Sequence, residues 1–252
     1  MMNPKQANSI EEVIVILDQI ILESVNNNNP LGYFAALYRK VTIKVKEGIE
    51  DNFFDDGPRM EKLDVIFANR YIQAYYSHQN NESVTNSWKR TFDLSTKYWP
   101  IVLQHLLMGM NAHINLDLGI AAAEVSGSNN INDLENDFNK INEILSSLVI
   151  DIQHSLGKIW PTLKALLKFS GKADDFLVDF SMKLARDGAW KFAKSIAGTS
   201  GDKLSSAIEQ RDKKVAQKTD LITNPGFVAT AVFRMIRLGE RGSISERIGH
   251  LK

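Results

Sequence analysis

Residues 101–123 read IVLQHLLMGMNAHINLDLGIAAA, and no other stretch limits the possible folds as tightly. Wound as a helix, it is apolar on nearly every side, which suits the middle of a bundle and not its surface. It is nevertheless too interrupted by polar residues to cross a bilayer, which takes roughly 20 predominantly apolar residues. The expected fold is therefore all-α, a single-domain multi-helix bundle around a buried central helix running from about Pro100 to Val125.

The same helix carries His105, Asn111, His113, Asn115 and Asp117. Buried polar groups cost free energy unless they are paired, so five of them within thirteen residues suggest a functional site. His113 and Asp117 are four apart and share a face, about 6 Å of rise between them. His105 stands about 12 Å of rise from His113, too far to hold the same ion. Asn111 and Asn115 pair on a different face. Gly109 lies on the row of His105, His113 and Asp117, where its missing side chain lets a neighbouring helix or a ligand come close.

The rest of the chain reads as further helices. Ser9 and Glu12 offer a capping box before the apolar series Ile10, Val13, Leu17 and Ile21, which ends at the Asn26–Pro30 breaker. Further helices are predicted over about Leu31–Ile49 and Pro58–Tyr76, a shorter one around Trp88 and Phe92, a long one from Leu134 to Ile152, and two over Trp160–Phe169 and Ala173–Ala197. The expected boundaries are a core domain over 1–200 and a peripheral C-terminal helical segment over 201–252, of one or two helices packed on the same domain. No alternating pattern bounded by hairpin turns implies a sheet.

Composition narrows the chemistry. With no cysteine, thiolate nucleophiles, iron–sulfur clusters and Cys-based zinc sites are ruled out. Thirty basic residues balance thirty acidic ones, so nucleic acid is not expected as a partner. The first residues, MMNPKQANSIEE, lack the basic start and apolar run of a secretory signal, and no transmembrane segment is evident; the expected location is cytoplasmic. Serine-hydrolase, phosphate-loop and dinucleotide motifs are missing.

The stretch GMNAHINLDL, Gly109 to Leu118, resembles the signature of an uncharacterised, mainly bacterial all-helical family of unknown function. RMEKLDVIFANRY (Arg59 to Tyr71), Trp88 with Phe92, and RDGAW (Arg186 to Trp190) resemble the same family in the same order, covering about residues 10–197. The resemblance implies a helical fold and places Asp64, Asn111, His113, Asn115, Asp117, Arg186 and Trp190 in the family's pattern; it implies no activity. The HxxxD spacing is also similar to the helical zinc-ligand pair of zinc-dependent phospholipases C and related single-strand nucleases. Their further ligands include an N-terminal Trp, where this sequence starts MMNPK.

A bundle metal site needs ligands from more than one helix. His113 with Asp117 is the first candidate pair, and Asp151 with His154 a weaker one. Such oxygen and imidazole donors suit Zn, Mn or Fe. The expected function is a metal-assisted hydrolase of a small-molecule or lipid-like ester or phosphoester, with Glu61, Asp64 and Arg186 as catalytic candidates and Asn111, Asn115, Arg70, Tyr71 and Trp190 lining the pocket. The alternative is a non-catalytic small-molecule-binding or protein-interaction domain with a structural His113–Asp117 pair. Asp55, Asp56 and Glu61 with the segment NDLENDFNK, Asn132 to Lys140, vaguely resemble terpene-synthase metal motifs, but Asn136 and Lys140 stand where those need Ser and Glu. Phe227, Val228, Val232, Met235 and Ile236 with Arg234 and Arg237 suit an interfacial helix, docking onto the bundle, or a homodimer through the C-terminal segment.

Overall fold

The computed structural model describes residues 6–160 and 182–252. The helix expected over Trp160–Phe169, and the first part of that expected over Ala173–Ala197, lie outside the described residues. So do the side chains of Asp151 and of several other residues of one long helix. Among the described residues every regular element is helical and none is a strand.

In chain order the helices are α1 (Ile10–Asn26), α2 (Leu31–Glu50), α3 (Gly57–Gln79), α4 (Asn86–Asp93), α5 (Val102–Ala112), α6 (Leu118–Ser126), α7 (Glu135–Ile159), α8 (Met182–Ile196), α9 (Gly201–Thr223), α10 (Phe227–Gly239) and α11 (Ile244–Leu251). Local chemistry sets several ends. Ser9 accepts from the Glu12 amide at α1, Asp56 from the Arg59 amide at α3, and Ser243 with Glu246 closes a capping box at α11.

The central segment departs from a uniform helix. Between α5 and α6, residues His113–Asp117 form one π turn, closed by the Leu118 amide on the His113 carbonyl five residues back. Single π turns inside α-helices are rare and occur frequently at functional sites. The turn is buried throughout.

Around it sit two main apolar clusters. One joins α1, α2, α3, α4 and α5 through Leu17, Phe34, Tyr71, Ile72, Trp88 and Leu106, and takes in Ile248 and Leu251 of α11. The other joins α3, α6, α7 and α8 through Leu63, Leu118, Ala122, Phe138, Ala189 and Ala193. Two glycines allow the closest approaches. A Cβ on Gly109 would stand 2.4 Å from the Phe34 ring of α2, and one on Gly119 would stand 2.8 Å from the Ala189 carbonyl of α8.

The segment after residue 200 forms three helices and supplies buried anchors for earlier elements. Asp212 of α9 accepts from the amides of Asn86 at 2.7 Å and Ser87 at 2.9 Å, holding the start of α4. Glu240, after α10, accepts from the Val102 amide at 2.7 Å at the start of α5 and is paired with Arg237 and Arg247. Asp137 of α7 does the same for α3, accepting from the amides of Asp55 and Asp56 and from Arg59. In each case a buried carboxylate from a distant part of the chain meets the positive end of a helix, which needs acceptors for its first amides.

Candidate functional site

The π turn presents His113 and Asp117 to the same side. His113 Nδ1 lies 3.2 Å from Asp117 Oδ2. Asp117 also accepts from Trp88 Nε1 at 2.8 Å on Oδ2 and from Arg70 Nε at 2.8 Å on Oδ1. Burial works to raise the Asp117 carboxyl, but the Arg70 guanidinium and the hydrogen bonds from His113 and Trp88 overcome it and hold the group below the usual carboxylate range. An ionised Asp117 can only accept, so His113 Nδ1 carries the proton and Nε2 is left with a lone pair.

Aromatic rings enclose the imidazole. Phe67 stacks on it with ring centroids 3.6 Å apart and planes 7° from parallel, and Tyr38 meets it edge-on at 4.5 Å. Phe34, Tyr71 and Trp88 complete the surround. Burial pushes the His113 pKa down despite the pull of Asp117 in the other direction, so the ring is neutral near neutral pH. Nε2 is buried and has no hydrogen-bond partner among the described residues.

Beside the ring lies a cavity of about 80 Å³. Its walls are mostly apolar, from Leu37, Val41, Met60, Leu63, Met110, Ile114 and Leu148 among others, and its ionisable members are His113, Asp64, Arg186 and the phenol of Tyr38. Asp64 is 6% exposed, and its Oδ2 has no hydrogen-bond partner among the described residues. Burial pushes the Asp64 carboxyl up to about 7, with the nearby charge of Glu61 adding to the effect. Arg186 donates to the Phe138 carbonyl and lies over the Phe138 ring, and burial brings it down to about 10.

A model of a family described only as a family of unknown function, DUF5995, matches residues 10–225. The chain belongs to the DUF5995 family. The match takes in the π turn, every lining residue of the cavity and all of α9. Neither the curated proteins nor the solved structures gave a match.

In this DUF5995 chain the candidates from sequence separate into groups. Asp64, His113 and Arg186 meet at the cavity, with Asp117 behind His113 and Arg70 and Trp88 behind Asp117. Glu61 is not on the lining; its carboxylate lies 3.5 Å from the Ile10 amide at the start of α1. Tyr71 is buried against Phe34 and Trp88 on the far side of the ring cluster. Trp190 donates to Glu135 at 3.2 Å and packs on Phe138, a core anchor away from the lining.

Asn111 and Asn115 are likewise not pocket residues. Asn115 Nδ2 donates to Asn111 Oδ1, and Asn111 Nδ2 donates to the Val215 carbonyl of α9. Arg211 of α9 donates from Nε to the Asn115 carbonyl at 2.8 Å, so α9 clasps the outer side of the π turn. The two asparagines satisfy each other and one neighbouring helix, which explains polar residues on that face without a ligand.

As metal ligands, His113 and Asp117 direct their facing atoms at each other, and the remaining Asp117 oxygen is taken by Arg70. Among the described residues no group of three or more His, Asp or Glu side chains is placed to hold an ion. His154 is exposed, and the Asp151 side chain lies outside the described residues. The two acidic stretches that resembled a magnesium site do meet, but as donors facing acceptors. Asp55 is held by Asn136 and Lys140, and Asp137 by two amides and Arg59.

Three contributors were not among the site candidates from sequence: Tyr38, and Phe67 and Trp88, which lie within the stretches that resemble the family. Their convergence on His113 depends on how α2, α3 and α4 pack, which spacing along one helix does not encode.

Proposed function

We propose that this protein is a metal-independent acid–base enzyme that hydrolyses a small, mostly apolar ester, with His113 as general base. The observation that carries the reading is His113 Nε2, a buried lone pair without a partner among the described residues, on a ring whose other nitrogen is fixed by a carboxylate. That arrangement of base and orienting acid recurs wherever imidazole activates a nucleophile.

In the reaction, Nε2 takes a proton from a water molecule as its oxygen bonds to the ester carbonyl carbon. The tetrahedral intermediate then expels the alkoxide, which receives the proton back from Nε2, giving a carboxylic acid and an alcohol. Asp117 stabilises the transient imidazolium, and Arg70 and Trp88 keep Asp117 from turning away. Arg186, the cation on the lining, favours the charge that develops on the carbonyl oxygen.

Lining chemistry and volume favour a neutral ester over a phosphoester. One buried guanidinium already engaged by the Phe138 carbonyl does not offset a phosphate dianion in an apolar cavity. The cavity, about 80 Å³, is smaller than the roughly 150 Å³ apolar cavity that accepts a benzene ring, so the group lodged there is short.

The test is turnover of nitrophenyl esters of graded acyl length by purified protein treated with a chelator, beside the His113→Gln variant. Hydrolysis that survives chelation, favours short acyl chains and falls by about a hundredfold or more in the variant supports the reading. Hydrolysis lost on chelation and restored by Zn or Mn returns the metal-assisted mechanism. Absence of any turnover, with His113→Gln merely less stable, leaves a structural histidine.

A further inference from the structure

Helix α10 packs Ile236 with Val232 and Phe233 on the bundle but leaves a second set of large apolar side chains facing outward. Ile236 is buried at 5% exposure, while Phe227 is 91% exposed, Val228 69%, Met235 60% and Leu238 71%. Phe227, Ala231, Met235 and Leu238 recur at intervals of four, four and three residues, so they form one stripe opposite Ile236. A helix in a bundle normally does the reverse. Tyr98 and Trp99, 67% and 47% exposed, extend the stripe from the loop before α5.

Positive charge borders this stripe. Arg234 lies over the Trp99 ring at 5.4 Å, and Arg237 lies over the Tyr98 ring at 5.1 Å and donates to the Tyr98 carbonyl. Lys97, next to Tyr98, and Arg241, just after α10, are exposed as well. No Asp or Glu occurs from Leu221 to Gly239, and the acids flanking that span are engaged: Glu240 is held by Arg237 and Arg247, and Asp220 pairs with Arg90.

We propose that the outer face of α10, with Tyr98 and Trp99, docks on an anionic lipid bilayer. Apolar side chains enter the boundary between headgroups and acyl chains, the aromatic rings sit at headgroup level, and the exposed Lys97, Arg234 and Arg241 meet lipid phosphates. Charge decides between this occupant and a second copy of the chain. In a two-fold dimer the same strip faces itself, so its exposed arginines meet a surface on which the described residues supply no free acid. Anionic headgroups supply the missing negative charge. Among the described residues no helix is long and apolar enough to cross a membrane, so the contact is a surface one. The inference is independent of the hydrolase reading.

Co-sedimentation of the full chain with phosphatidylcholine vesicles, with and without phosphatidylserine, tests it. Expected are binding to the phosphatidylserine vesicles that weakens with salt, and a loss of roughly tenfold or more in partitioning for Arg234→Glu and for the double variant Phe227→Ser with Leu238→Ser. All these side chains are exposed or half-exposed, and unchanged thermal unfolding of Arg234→Glu confirms that the fold is intact. Wild-type protein that stays in the supernatant with phosphatidylserine vesicles overturns the proposal. So does equal partitioning of the variants. A dimer in solution that the double variant dissociates assigns the face to a second copy instead.

Discussion

The ring of Phe67 lies flat against the imidazole of His113, centroids 3.6 Å apart, and so removes water from one whole face of the base. A cationic ring in that position would be poorly solvated, which is why burial outweighs the Asp117 carboxylate and lowers the His113 pKa. Because the folded pKa lies below the unfolded value near 6.5, the unfolded chain takes up the proton first as pH falls. Stability contributed by this histidine is therefore present above that value and declines on acidification. NMR titration of His113 should show a neutral ring with the proton on Nδ1 at neutral pH; a ring that titrates at or above 6.5 would contradict the geometry.

Asp64 behaves in the opposite sense. Its folded pKa is raised to about 7 from 3.8, so the folded state holds a proton that the unfolded state has released, and stability falls as pH rises between those values. Asp64→Asn removes the ionisation while keeping the shape. The variant is expected to exceed the wild type in stability by on the order of 4 kcal/mol at about pH 8 and to lose that advantage at about pH 4. Urea unfolding at the two pH values measures it, and a pH-independent difference would show that Asp64 ionises freely.

Asp117 is the most connected carboxylate of the site, and its removal should be costly. In Asp117→Ala the Arg70 guanidinium, the Trp88 indole and His113 Nδ1 all lose their acceptor. A loss of about 3–5 kcal/mol is expected, because half of an ion pair and two buried donors remain behind. Chemical denaturation gives the number. A loss below about 1 kcal/mol would mean that water already solvates the pair.

Gly109→Ala tests the contact between α2 and α5. Alanine is worth about 1 kcal/mol more than glycine inside a helix, so an open site would be stabilised. Here the new Cβ would lie 2.4 Å from the Phe34 ring and 2.9 Å from the Phe34 Cβ, which the ring cannot relieve by rotating. Net destabilisation of about 1–3 kcal/mol is expected, with a shifted His113 imidazole resonance, since Phe34 also packs on that ring. A stabilised variant would show that the two helices separate easily.

Asp212→Ala should act at a distance along the chain. It leaves the amides of Asn86 and Ser87 without their acceptor at the start of α4, the helix that carries Trp88 to Asp117. Faster hydrogen exchange throughout α4, with α1 unaffected, is the expected pattern. Exchange unchanged at Asn86 and Ser87 would mean that other groups secure this end.

The sequence by itself determined that the protein is helical, where most helices begin and end, and that its middle helix is buried. These follow from periodicity and capping, which are local. It also marked His113 and Asp117 as a pair, since four residues of helix bring them together in any surroundings. Only the tertiary structure decided what the remaining polar residues do. Asn111 and Asn115 looked like pocket residues until α9 was seen to supply Val215 and Arg211 as their partners, and Glu61 looked like a base until it was placed beside the Ile10 amide. Asp64 kept its place at the cavity, where none of the described residues supplies a partner for its Oδ2. Whether a buried polar group is satisfied depends on donors and acceptors contributed by residues far away in the chain, and helical spacing says nothing about which of them come near.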